Sequence, residues 1–142
     1  MFGKKKEQDL ADQAAVQKDL QRLRALPIEQ VAAEVMTRTF GPSGPAVDGE
    51  IRFDMVADGF LPASIRKEIY RLKEAPVSGH GFEAYWQLKA LVRESVQVLK
   101  QKGLVLFVPS SFPPKQKYRA TRLGIDALTQ EAVDRVIRGE SI

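Results

Sequence analysis

A set of side chains that can hydrogen-bond to nucleic-acid bases lies in one predicted helix, residues 82–102. Arg, Lys and Gln bind the edges of guanine and adenine in the major groove of DNA. The residues placed to do so are Tyr85, Gln87, Lys89, Arg93 and Gln97. The opposite face is apolar, with residues at helical spacing that predict burial: Leu88, Leu91, Val92, Ser95 and Leu99. An ordinary solvated helix face is the competing interpretation.

Basic residues in two further segments could hold phosphate groups. A helix over residues 62–74 carries Arg66, Lys67 and Arg71 on the sides away from its apolar positions. A hairpin tip that ends near residue 117 carries Lys115, Lys117 and Arg119. Such residues suit contacts to the sugar–phosphate backbone, which position a protein on a duplex. For the helix over 62–74, a solvated charged face is again the alternative.

Glycine and proline residues indicate the elements that must position these side chains. Gly103 ends the helix over 82–102, a strand over 104–108 follows, and prolines keep residues 109–114 in a loop. A strand over 117–120 then leads to a helix capped by Thr121. Upstream, the pattern predicts helices over 9–25 and 27–39 and an alternating strand over 50–56, with a helical continuation through Val56 as its alternative.

Both ends of the chain carry amphipathic helices that predict packing or dimerisation. The first has an apolar stripe that lies across the domain or pairs with a second copy: Leu10, Ala14, Gln17, Leu20, Leu23 and Leu26. The last is predicted as one helix that ends at Gly139, with an apolar face of Ile125, Leu128, Ala132, Val133 and Val136. A homodimer is therefore an expectation from the sequence.

Two stretches resemble bacterial regulators of the multiple-antibiotic-resistance type. Residues 98–105, VLKQKGLV, resemble the end of their recognition helix, and residues 118–124, YRATRLG, resemble the strand and capped helix after their wing. The resemblance implies a mainly α fold with a small β-hairpin, a winged helix-turn-helix with flanking N- and C-terminal helices. Residues 1–26 would form a basic tail and N-terminal helix, and 27–142 the winged-helix domain with the C-terminal helix.

The function that follows is sequence-reading DNA binding by a dimeric transcription regulator, with double-stranded DNA as partner. The third helix would contact bases, and the basic wing would contact phosphates. The alternative is a winged helix that binds protein and not DNA. Its contact would use the aromatic residues Phe82, Tyr85, Trp86 and Phe112. For the three aromatic residues of the helix, packing in a core or interface is favoured over base stacking.

The composition argues against several other classes of protein and of binding site. The 142 residues include no cysteine and one histidine, His80, so a disulfide or a transition-metal site is not expected. His80 lies in a predicted loop without a second histidine or a phosphate-binding glycine loop, so neither an enzyme nor a cofactor is expected. No apolar run is long enough to cross a membrane, and a cytoplasmic location is expected. The net charge of +4 favours a polyanionic partner only slightly.

Overall fold

A computed structural model provides the structure of the chain. It describes residues 14–42, 44, 46, 50–52, 56, 60, 80–109 and 116–142, and it gives no side-chain description at 80–85, 109 and 116. The predicted helix over 62–74 and the hairpin tip over 110–115 lie outside these residues. So do the predicted site residues Arg66, Lys67, Arg71 and Lys115.

Helices make up most of the described chain. Residues 14–24 are helical and are called α1. The other helices are α2 (Ile28–Phe40), α3 (His80–Gln101), α4 (Arg122–Thr129) and α5 (Val133–Ile137). The strands are β1 (Glu50–Arg52), β2 (Val105–Pro109) and β3 (Gln116–Ala120). The mainly α fold with a small β-hairpin is thereby confirmed. The helix α3 begins at His80, so this histidine opens the helix and does not lie in the predicted loop.

The three strands form one antiparallel sheet in the order β1-β3-β2. The hairpin pairs Val105 with Ala120 and Phe107 with Tyr118, and the distant strand β1 pairs Ile51 with Tyr118. The sheet thus joins a strand from early in the chain to the hairpin. Of the strand predicted over 50–56, residues 50–52 are extended, whereas Val56 is helical and buried. The strand is shorter than predicted because the helical alternative holds at Val56.

One hydrophobic core connects all the helices and the sheet. In α1 the buried residues are Val16, Leu20 and Leu23, at i, i+4 and i+7. The predicted stripe was therefore wrong at Ala14 and Gln17, which are exposed. The helix packs across its own chain because these three side chains lie in the same core as Val35 of α2 and Leu99 of α3.

The end of α3 is fixed by a backbone motif at Gly103. This residue has φ +77°, and the amide of Leu104 donates to the carbonyl of Leu99 at 2.9 Å. Such a Schellman end needs a left-handed residue, for which glycine carries no steric penalty. The hydroxyl of Thr121 donates to the carbonyl of Gly103 at 2.5 Å and accepts from the amide of Gly124 at 3.0 Å. The predicted cap at Thr121 is confirmed, and it also ties α4 to the end of α3.

The predicted single last helix is wrong, because the chain breaks between α4 and α5. Glu131 adopts φ 53°, and the amide of Ala132 donates to the carbonyl of Ala127 at 2.8 Å. This is the same helix-ending motif as at Gly103, formed here with a glutamate in the left-handed position. The break turns α5 so that Val133, Val136 and Ile137 are buried. The last helix ends just before Gly139, near its predicted end.

Candidate nucleic-acid interface

The helix α3 has a buried face and an exposed polar face. Leu88, Val92, Val96 and Leu99 are buried, and Ser95 is buried with its hydroxyl donating to the carbonyl of Leu91 at 2.9 Å. The exposed residues after position 85 are Trp86, Gln87, Ala90, Arg93, Glu94, Gln97, Lys100 and Gln101. The amphipathic pattern predicted the buried face correctly, and the exposed residues form a polar surface about four turns long at about 3.6 residues a turn.

The predicted base-contacting residues do not all share one face. Arg93 and Gln97 are exposed on the side opposite Leu88. At about 100° a residue, Gln87 and Lys89 lie about 160° apart around the helix, on its two flanks. Gln87 is turned toward α1, where its side-chain oxygen accepts from the Arg24 guanidinium at 3.4 Å. Tyr85 lies in α3, outside the described side chains.

Trp86 does not pack in the core of its own chain, which was one of the two kinds of packing predicted for it, and packing in an interface stays a prediction. Its side chain is 59% exposed, and the ammonium of Lys89 lies 5.2 Å from the centre of its ring. A cation over a tryptophan face is held by the electrostatic attraction of the ring. Spacing alone could not reveal this, because residues 82, 85 and 86 repeat at the helical interval of a packed stripe. Trp86 therefore joins the candidate site as a residue that the sequence did not assign to it.

The outer face of the sheet collects basic residues from two strands. Tyr118 and Ile51 are buried on the inner face, so their neighbours along the strands point outward. The register places Arg52 opposite Lys117, and Glu50 opposite Arg119. We call Arg52, Lys117 and Arg119 the sheet-face cations. Like charges in directly opposed positions repel each other, since such side chains are only about 5 Å apart at their β-carbons.

Arg52 is a candidate residue that sequence reasoning missed. It lies far from the hairpin in the chain, and only the pairing of β1 with β3 brings it to Lys117. The alternation of residues 51–55 gave the direction of its side chain, but the register with β3 was needed to identify its neighbour. The apolar residues Leu106 and Val108 of β2 complete the same outer face, opposite Arg119 and Lys117.

A second group of basic residues lies between α1 and α2 and is neutralised there. The Arg22 guanidinium donates to both carboxylate oxygens of Glu34, at 2.6 and 2.9 Å, and to Asp19 at 2.7 Å. Arg38 contacts Glu34 at 3.0 Å and Asp19 at 3.4 Å, and its guanidinium lies over the ring of Phe60. These hydrogen bonds, first the one with Glu34, raise the pKa of Arg22 above its ordinary value. We call these residues the helix-junction network.

A groove of about 780 Å³ lies between α2, the end of α3 and α5. Its apolar lining includes Ala33, Val98 and Ile137. Its charged lining has both signs, from Glu29, Lys102, Asp134 and Arg138. Since Arg138 contacts Asp134 at 3.6 Å, part of that charge is already paired, and the groove does not select an ionic class of ligand.

Two further properties bear on the expected function. Within the described ranges, no cluster of three or more acidic or histidine side chains is arranged to hold a metal ion. Among the helices described there, none combines the length and the apolar character needed to cross a membrane. Comparison of the chain with protein-family models, with curated proteins and with solved structures finds no match, so the function must be inferred from the geometry.

Proposed function

We propose that this protein is a DNA-binding winged helix-turn-helix protein of the type found in bacterial transcription regulators, working as a dimer. The order of elements supports the proposal: a long helix, an ending at Gly103, a hairpin and a capped helix. In it, Tyr85, Gln87, Lys89, Arg93 and Gln97 of α3 contact base edges, and the hairpin contacts phosphates. The proposal includes no catalytic role and no cofactor. It places the protein in the cytoplasm.

The opposition of Arg52 and Lys117 is the observation that carries the proposal. Two cations in directly opposed positions repel each other, because their side chains are only about 5 Å apart at the β-carbons. A phosphate between them would remove that repulsion, and Arg119 lies one position along the same face. The arrangement of cations on the sheet face is therefore explained better by binding of a polyanion than by a contribution to the stability of the fold.

Phosphate contacts extend beyond the sheet in the proposed complex. Arg66, Lys67, Arg71 and Lys115, outside the described residues, would add to the sheet-face cations. A dimer would place two copies of α3 in successive major grooves, about 34–36 Å apart.

The proposed dimer cannot use the buried parts of the two predicted apolar stripes. Val16, Leu20 and Leu23 of α1 and Val133 and Val136 of α5 are buried within one chain. Exposed apolar side chains that remain available to a second copy include Leu123 and Ile125 of α4. Light scattering over a range of protein concentrations would establish the mass of the protein in solution.

A gel-shift assay with random genomic fragments at low and high salt tests the proposal. The wild type should bind at low salt and release as salt rises, because counterions compete for the phosphates. The variant Lys89→Ala/Arg93→Ala should bind more weakly. A matched variant, Lys18→Ala/Arg135→Ala, removes two exposed cations elsewhere and should bind like the wild type. Equal binding by all three proteins, or binding by none, would contradict the role proposed for α3.

Protein binding is the second candidate, and exposed apolar residues of β2 favour it. Leu106 is 42% exposed and Phe107 is 38% exposed, and β2 lies at an edge of the sheet. An edge strand can accept an extended peptide as an additional strand. Since such pairing depends on backbone hydrogen bonds and apolar contacts, it would persist at salt concentrations that abolish binding to phosphates.

A further inference from the structure

The exposed ring of Trp86 provides a surface for a nucleic-acid base. It lies on the polar face of α3 near Ala90 and Arg93, which fall at i+4 and i+7. Residues at these intervals are neighbours on a helix surface, and the methyl group of Ala90 leaves space beside the indole. A large aromatic side chain that is 59% exposed on a polar surface is poorly explained by the stability of the fold.

The charges around Trp86 favour a single strand of nucleic acid. Lys89, Arg93 and Lys100 lie within about 40° of one another around α3, at about 100° a residue. Glu94 lies on the other side of the exposed face, where it would repel phosphates. The three cations span about 16 Å at about 1.5 Å a residue. In a single-stranded segment they would contact the phosphates of that strand in place of base edges in a groove.

Paired bases inside a duplex cannot stack on this ring, because their faces are already covered by the neighbouring base pairs. An unpaired base has an open face, and stacking on an aromatic side chain is a general means of binding single strands. Base edges in the groove can hydrogen-bond to the glutamine and arginine side chains of α3, but they offer no flat surface on which an indole ring can stack. The ring therefore favours an unpaired base whose face is not covered by neighbouring base pairs.

We infer that Trp86 stacks on an unpaired base, so that the protein prefers DNA in which a single-stranded segment adjoins a duplex. The inference rests on the proposed function, in which the sheet-face cations bind phosphates of the duplex. Lys89 contributes by holding the indole from one side, with its ammonium 5.2 Å from the ring centre. The substrate class is thus narrower than double-stranded DNA in general.

The fluorescence of Trp86 can test this directly, because the chain has one tryptophan. Three DNAs are compared: a blunt duplex, the same duplex with a single-stranded extension, and the same extension made of abasic nucleotides. The abasic extension keeps the phosphates and removes the bases. We expect the native extension to bind about tenfold more tightly than the abasic one and to quench the fluorescence, as base stacking predicts.

Variants separate the role of the ring from that of charge. In Trp86→Ala, measured by anisotropy of labelled DNA, the ratio of native to abasic affinity should fall from about 10 to about 1. Trp86→Phe should keep part of the ratio, and Ile142→Ala, at another exposed apolar residue, should keep all of it. Equal affinity for the two extensions in the wild type would overturn the inference while leaving duplex binding intact. Failure to bind any of the three DNAs would overturn the proposed function as well.

Discussion

The helix-junction network and the sheet face use the same residue types in opposite ways. Between α1 and α2, Arg22 and Arg38 converge on the carboxylates of Asp19 and Glu34, with contacts of 2.6–3.4 Å. On the sheet, the register sets Arg52 against Lys117. In the first region the cations neutralise partly exposed carboxylates between two helices. In the second, the fold brings like charges together.

This difference shows why net charge is a poor guide to the binding surface. The chain has 22 basic and 18 acidic residues, a balance typical of many proteins that bind nothing acidic. What distinguishes the sheet face is the arrangement of its charges. The register opposes Arg52 and Lys117, which favours an anion between them, whereas Arg22 and Arg38 lie against the carboxylates of Glu34 and Asp19.

Neutralising the sheet-face cations should have the largest effect. The variant Arg52→Gln/Lys117→Gln/Arg119→Gln should weaken binding to a labelled duplex by about 100-fold near 0.1 M salt. Each lost phosphate contact lowers the log–log salt slope by about 0.9, so the slope should fall by about 2.7. Fluorescence anisotropy across a salt series measures both quantities.

The matched control for that variant lies in the helix-junction network. Arg22→Gln/Arg38→Gln also removes basic charge, but from groups that are ion-paired with Asp19 and Glu34. Its affinity for the duplex should stay within about threefold of the wild type, as expected for a distant change in net charge. If the two variants lose equal affinity, the sheet face has no special role and general charge drives binding.

The two regions should differ in their effect on the stability of the fold. A substitution in the helix-junction network should lower the free energy of unfolding, whereas a substitution of a sheet-face cation should not. Glu34→Gln should lower the free energy of unfolding by about 1 kcal/mol, because Glu34 joins both arginines in a network and its side chain is only 23% exposed. Arg52→Gln should leave the free energy of unfolding unchanged or raise it by about 0.5 kcal/mol, since it removes an opposed like charge. Urea unfolding followed by circular dichroism measures both.

A control for the network effect is the ion pair of Arg138 and Glu140 at the C-terminal end, in which both side chains are more than half exposed. Glu140→Gln should change the free energy of unfolding by only a few tenths of a kcal/mol, as solvent screening predicts. A loss as large as that in Glu34→Gln would mean that the helix junction gains nothing from its network geometry.

Much of the fold could be predicted from local sequence signals. The glycine at 103 and the threonine at 121 give the boundaries of α3 and α4, because one accepts a left-handed backbone and the other caps a helix. The break at Glu131 could not be predicted in this way, since a glutamate in that conformation is held by the surrounding structure. Burial of Val133 and Val136 against the core determines it.

The candidate site was less predictable than the fold, because it depends on neighbours distant in the chain. The polar face of α3 follows from its helical period, but Arg52 joins Lys117 only through the sheet register. Trp86 fits the spacing of a buried stripe and is nevertheless exposed. Gln87 was predicted to contact bases, and its contact with Arg24 could not be read from the helical pattern. Periodicity gives the face of a single element, and tertiary contacts decide which faces meet.

The smallest predicted effect concerns Glu50, the acidic residue opposite Arg119 on the sheet face. Glu50→Gln should raise affinity for a labelled duplex about two- to threefold at low salt, because its carboxylate competes with phosphates for the sheet-face cations. Glu140→Gln makes the same change in net charge at a site on the C-terminal segment and should raise affinity less. Anisotropy titrations of both variants measure the difference. Equal gains would show that only net charge matters, whereas a loss in Glu50→Gln would mean that Glu50 orients Arg119 for binding.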